Sequence, residues 1–317
     1  MTEVNEMQKQ LIDSLFEHGV LIDLDFSVWT GQVQIKPEDI GLQSIPNDLM
    51  TLGRKRLVRK ELSARPIAIH SSARVFIDKM SFPFPLSRAR FIPYKKVETA
   101  TRKLQEYKRE FDSSVQEIVS EYEAEKKLML GTWGLALEKH FAGRVDIDKA
   151  LDRLLASYPD VEYIQRQYRF EWRYFDIQLP KNLSVKIADF NVHEEMERSI
   201  QEFVGNSVAV LRQRVGELAE HVKELVQNDG CRGFTSATIQ SVEKTVNAIK
   251  TLNFFQDSVV DSEAERIKLL VTSRVVVKNN IENQIDVIIN NLKQDIDKSA
   301  REAISRLTGD GKRVINV

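Results

Sequence analysis

The sequence predicts a mainly α protein, an elongated helical bundle or coiled coil with a small α+β N-terminal part and an inserted β-hairpin. Three observations predict it. Val204, Val208, Leu211, Val215, Leu218, Val222 and Leu225 recur in alternating steps of four and three, which places them on one helix seam. The eight prolines end at Pro180, so nothing after that point carries the residue that most strongly interrupts a helix. Strand-like alternation is confined to two short stretches, around Val20–Ile35 and Phe175–Ile187. The chain accordingly divides into a small α+β region, 1–93, and a long-helix bundle, 94–317, with a hairpin near 174–190.

From Asn5 to Glu17, Met7, Leu11, Ile12, Leu15 and Phe16 share one face of a short helix that Gly19 ends. Val20, Ile22, Leu24, Phe26 and Val28 then alternate with Leu21, Asp23, Asp25 and Ser27, and Thr30-Gly31 turns the chain into Val33 and Ile35, a first hairpin. Lys36-Pro37-Glu38-Asp39 begins a turn, and Pro46-Asn47-Asp48 opens a further short helical piece. A basic run follows, Gly53-Arg54-Lys55-Arg56-Leu57-Val58-Arg59-Lys60. Such a run can grip phosphates, and Arg54, Lys55, Arg56, Arg59 and Lys60 are the candidate nucleic-acid contacts; a solvated turn entering a helix is the other reading. No aromatic residues interleave with it for base stacking.

A helix is predicted over Leu62–Met80, with Pro66 in its first turn, where a missing N–H costs little. The prolines of Ser81-Phe82-Pro83-Phe84-Pro85-Leu86 and Ala89-Arg90-Phe91-Ile92-Pro93 exclude helix, so these aromatics anchor an extended chain in a core. After Pro93, Val97, Leu104, Phe111 and Ile118 repeat at seven, and Thr101, Val115, Tyr122 and Met129 complete the seam, broken only by Lys108. A helix of about 36 residues, on the order of 50 Å, is expected, loosening at Gly131, Gly134 and Gly143. Its basic start and acidic middle oppose the helix dipole and need compensating neighbours.

A short helix spans Asp146–Ala156. The aromatics and arginines of Tyr163–Tyr174 read as packing at the end of a helical shaft, with base stacking as the sharper alternative. Phe175, Ile177 and Leu179 alternate with polar residues, Pro180-Lys181-Asn182 turns the chain, and Leu183, Val185 and Ile187 alternate back. Phe175, Ile177, Leu183 and Val185 are the candidate interaction residues of this hairpin. The seam helix runs from Val192 to about Val226, with Arg212, Gln213, Arg214, Glu217, Glu220, Lys223 and Glu224 as its solvated back, and stops at Asn228-Asp229-Gly230. Thr235 or Ser236 caps the next helix, through Leu252. A final helix carries Ile267 to Leu307, weakest at Val275-Val276-Val277. These helices are expected to bundle with the 94–130 helix.

Composition narrows the function classes. A net charge of −1 provides no global electrostatic case for nucleic acid or acidic lipid. One cysteine, Cys231, excludes an internal disulfide and a Cys-based zinc site, and the five scattered histidines have no ligand spacing, so neither metal nor cofactor is expected. The polar start Met1–Lys9 is unlike a signal peptide and no apolar run approaches the roughly 20 residues of a membrane span, which leads to a cytoplasmic expectation. None of the common nucleotide-binding, hydrolase, zinc-protease or calcium-loop motifs is present, so no catalytic residue is nominated. Asp23 and Asp25 share a strand face, but no second acidic pair completes a metal site.

Leu24-Asp25-Phe26-Ser27-Val28-Trp29-Thr30-Gly31, Leu52-Gly53-Arg54-Lys55-Arg56-Leu57-Val58, and Phe82-Pro83-Phe84-Pro85 with Arg90-Phe91-Ile92-Pro93 together resemble an uncharacterised protein family of phages, plasmids and integrative elements. The likeness covers about residues 20–130. Genes of that family often lie beside a MoxR/CobS-like AAA+ ATPase and a von Willebrand factor A-domain protein. The resemblance therefore implies a partner class and no reaction. The expected function is a non-enzymatic scaffold or adaptor that docks on those partners, possessing helix seams that could also pair copies of the chain. The alternatives are a nucleic-acid-binding accessory protein and an α-helical pore-former.

Overall fold

Both long seams with three-and-four spacing become helices, because an apolar stripe along one helix face is buried by packing on neighbours. The computed structural model describes residues 14–36, 53–141, 143, 146–177, 192–228, 234–273 and 278–307. By contacts the chain forms two interleaved units. One comprises Met1–Asp23, Asp78–Glu98 and Tyr174–Val317; the other comprises Leu24–Ile77 and Thr99–Arg173. The division expected at residue 93 follows the change in period along the sequence, whereas these units follow which segments pack together.

In the first unit a small sheet is built around the proline-bounded aromatics. Strand β1 (Gly19–Ser27) pairs antiparallel with β5 (Arg90–Pro93), Gly19 opposite Pro93 and Ile22 opposite Arg90, and β5 pairs with β4 (Phe82–Pro83). The register needs a glycine at 19, since a Cβ there would lie 2.5 Å from the Ile92 carbonyl oxygen. Phe82, Phe84, Phe91 and Ile92 are buried, as expected for aromatics anchoring an extended chain. Leu21 is buried beside Ile22, although the alternation put it on the polar face.

The rest of this unit is a bundle around helix α5 (Val192–Asn228), which packs against α6 (Ser236–Leu252), α7 (Ser258–Thr272), α8 (Lys278–Lys293) and α9 (Ile296–Leu307). Thr235 caps α6 by accepting from the Thr238 amide, as its sequence position suggested. The single final helix expected from Ile267 to Leu307 is instead three. Asp257 caps the start of α7, and Asp295, with φ of 54°, bends the chain between α8 and α9. Val275-Val276-Val277, Cys231 and the glycines 309 and 311 lie outside the described residues.

The second unit holds helix α1 (Lys60–Met80) up to Ile77 and helix α2 (Tyr94–Phe141) from Thr99 onward. Pro66 is the seventh residue of α1, one turn deeper than expected. Helix α2 is 48 residues long, about 72 Å at 1.5 Å per residue, and runs straight through Gly131 and Gly134. Packing overrides glycine propensity there, because Met129, Leu130 and Trp133 join the core of Trp29, Leu57, Val58, Tyr122, Leu154, Tyr158 and Ile164. Trp133 Nε1 also donates to the Arg56 carbonyl at 3.3 Å. From Thr99 onward this helix belongs to the second unit, whereas the C-terminal helices belong to the first.

The first predicted hairpin does not form. Gly31 turns the chain at φ of 66°, but strand β2 (Gln32–Gln34) pairs with β3 (Arg54–Arg56), Val33 opposite Lys55. The neighbours of β1 in its sheet are β5 and β6 (Arg169–Phe175), which leaves β2 to find another partner. Helices α3 (Ile147–Leu155) and α4 (Val161–Gln167) precede β6, so Tyr163–Tyr174 is a short helix and a strand rather than the end of a shaft. The strand expected to begin at Phe175 ends there, and residues 178–191, with Leu183 and Val185, lie outside the described residues. Among the described residues no helix is long and apolar enough to cross a membrane.

Candidate functional site

The seam residues Val204, Val208, Leu211, Val215, Leu218 and Val222 are all buried, while Leu225 is half-buried and Val226 takes its place in the core. The seam therefore closes on helices of the same chain. One residue assigned to the solvated back is not solvated: Arg212 is 2% exposed. Its Nε donates to Asp257 Oδ2 at 2.8 Å and its Nη2 to Asp257 Oδ1 at 3.4 Å. The remaining donors reach the carbonyls of Leu292 and Gln294 and the Ser299 hydroxyl. Asp257 also accepts from the Val259 amide as helix cap and exchanges hydrogen bonds with Asn253. A planar guanidinium with five donors in a fixed fork thus ties α5 to the α6–α7 turn, the α8–α9 turn and α9. No spacing rule could have shown this, because Arg212 sits one step from the seam and its partner is 45 residues away.

Arg214 is also drawn inward. It donates to the carbonyls of Asp78, Lys79 and Ser81, and burial, with Arg90 nearby, pulls its pKa down from the usual arginine value. Arg90 pairs with Asp78 at 3.1 Å and donates to Ser81 Oγ at 2.8 Å. Lys223 pairs with Asp286 at 2.6 Å on the surface, which holds its pKa above the usual lysine value. Gln213, Glu217, Glu220 and Glu224 remain exposed, as expected of a helix back.

In the second unit the basic run is divided by its own fold. Arg54, Arg59 and Lys60 are exposed, Arg56 is half-buried and Lys55 is buried. Arg59 is committed to Glu125, an acid on α2 that is itself 3% exposed: the Arg59 backbone N–H donates to Oε1 at 2.7 Å and its guanidinium pairs at 2.9 Å. Lys36, Lys55 and Arg153, with Gln34 and Ser157, line an open groove of about 500 Å³. Of the acidic pair Asp23 and Asp25, Asp25 pairs with Arg169 at 2.9 Å. On β6, Arg169, Glu171 and Arg173 are exposed and Phe170 is buried, an alternation that follows from strand geometry. Phe175 is 37% exposed, and Ile177 packs on the first unit's core. Tyr122 donates to the Pro159 carbonyl at 2.7 Å, whereas the buried Tyr158 hydroxyl has no partner among the described residues. Among the described residues no group of three or more His, Cys, Asp or Glu side chains could hold a metal ion.

These features define a class: a mainly helical protein of two interleaved units whose buried charges hold its helices and turns together. A family model described as "Protein of unknown function (DUF3150)" matches residues 16–265, and the chain belongs to that family. The match reaches from the start of the sheet into α7, well past the motifs that carry the resemblance. No curated protein and no solved structure matches the chain.

Proposed function

We propose that the protein is a non-enzymatic scaffold or adaptor that assembles with a MoxR-type AAA+ ATPase and a von Willebrand A-domain partner of a phage or mobile element. The observation that carries this reading is how charge and apolar surface are used. The ionisable residues that converge, Arg212 with Asp257 and Arg59 with Glu125, are in intramolecular pairs. Meanwhile Leu155, Leu269 and Val287 present apolar side chains on the outside of helices. Exposed apolar side chains on rigid helices suit protein contacts, and the resemblance of the Phe82-Pro83-Phe84-Pro85 and basic-turn motifs supplies the partner class. Affinity purification of the tagged full chain from its native host, with mass spectrometry and nuclease control, tests the reading. Recovery of the ATPase and the von Willebrand A protein supports it, and their absence from a stable, soluble bait overturns it.

The groove lined by Lys36, Lys55 and Arg153 favours a second reading, a nucleic-acid-binding accessory protein. On that reading affinity for DNA or RNA falls steeply with salt, and charge reversal at the exposed Arg54 and Lys60 reduces the slope. An absence of binding at low salt ends it.

A further inference from the structure

Helix α2 carries a second stripe that no described residue of its own chain covers. Leu128 is 50% exposed and Leu135 is 71% exposed, one heptad apart on one face, and Ala124, Gly131 and Thr132 on the same side are exposed as well. The opposite side of this segment, Met129, Leu130 and Trp133, packs on the second unit's core. Four charges border the stripe: Lys127 and Glu138 along one edge, and Glu121 and Lys139 in line with the leucines at its two ends. All four are exposed, and none makes an ion pair among the described residues.

We infer that this stripe is a self-association surface, on which α2 pairs antiparallel with α2 of a second copy about a two-fold axis near Gly131. The order of the charges selects that occupant. A two-fold antiparallel pair sets each helix edge against the same edge of its partner. Centred between Leu128 and Leu135, it places each Leu128 on the other copy's Leu135. Lys127 then lies beside the other copy's Glu138, and Glu121 beside its Lys139. Each contact occurs twice, so four opposite-charge pairs border four leucines, with no like charges facing one another. Gly131 sits where the helices cross, and a residue without a side chain there lets the two backbones approach. Nothing lies within 4 Å of the position a Gly131 Cβ would occupy in the single chain. The inference is independent of the adaptor reading and stands whichever partner the protein binds.

Sedimentation equilibrium of the full chain over roughly 1–100 μM tests it, a range suited to a contact smaller than a standard interface. A monomer–dimer equilibrium is expected. Gly131→Glu fits the single chain and removes a helix glycine, so thermal stability is held or raised, yet it places two carboxylates at the crossing. The dissociation constant should rise at least tenfold. Lys127→Glu should weaken the dimer by setting like charges together, and Lys127→Glu with Glu138→Lys should restore it. A chain that stays monomeric throughout, a dimer indifferent to Gly131→Glu, or a charge swap that fails to restore association each overturns the proposal.

Discussion

Arg212 shows how one side chain can determine whether a bundle is closed. Its charge lies out of water, and the attraction of Asp257 offsets the desolvation only while the carbonyls of Leu292 and Gln294 and the Ser299 hydroxyl accept its other protons. Arg212→Met leaves Asp257 buried without its counter-charge, and a loss of about 3–5 kcal/mol in urea unfolding is expected. A loss under about 1 kcal/mol would mean that the pair contributes little, as exposed pairs do. Two tyrosines provide a contrast in the second unit. Tyr122→Phe removes a partly buried hydrogen bond to Pro159 and should cost about 1 kcal/mol, whereas Tyr158→Phe removes a hydroxyl without a partner among the described residues and should be neutral or stabilising. Burial pushes the Tyr158 hydroxyl from 10.0 up to about 12, and burial likewise raises Tyr122 and Tyr168. The folded state therefore holds protons that the unfolded chain gives up above pH 10, so stability falls as pH rises from 10 toward 12. Unfolding midpoints measured across that window should decline, and Tyr158→Phe should flatten the decline.

At the scale of elements, α5 and α2 follow the same seam rule but use it differently. The α5 seam is closed within the chain on α7, α8 and α9, and Leu211 is fully buried on it. Leu211→Asp with Leu218→Asp should abolish the cooperative thermal transition, and an unchanged melting temperature would show that the seam is not the bundle's core. Helix α2 buries Leu104, Phe111, Ile118 and Tyr122 along one seam and continues for 48 residues. Its glycines do not end it, because the core anchors Met129, Leu130 and Trp133 on their side of the helix. The acid Glu125 on this helix compensates a basic residue of the run before α1, so Glu125→Gln should free Arg59 and lower stability by about 1–3 kcal/mol.

For the whole molecule, the consequence of interleaving is that neither unit is a contiguous piece. The chain passes from one to the other after Asp23, Ile77, Glu98 and Arg173. A fragment 94–317 would lack Phe82, Phe84 and Phe91 from the first core and Trp29, Leu57 and Val58 from the second. It should fail to show a cooperative unfolding transition by circular dichroism. A fragment that unfolds like the full chain would show that residues 1–93 are dispensable to both cores.

Local pattern determined much of this protein before any contact was known. The seams of α2 and α5, the Thr235 cap and the anchoring of Phe82, Phe84 and Phe91 follow from periods and backbone rules that act over a few residues. Of the candidate site residues, the α5 seam was legible for that reason, and the fate of the basic run was not. Only the tertiary structure decided that β1 pairs with β5 and not β2, that Lys55 is buried, and that the exposed Arg59 pairs with the buried Glu125. It also decided that Arg212 leaves the solvent face and that the long helix outlasts its glycines. The physical reason is shared by these cases. A strand edge, a buried charge and a helix glycine are each settled by the partner that packing brings to them, and those partners lie far away in sequence.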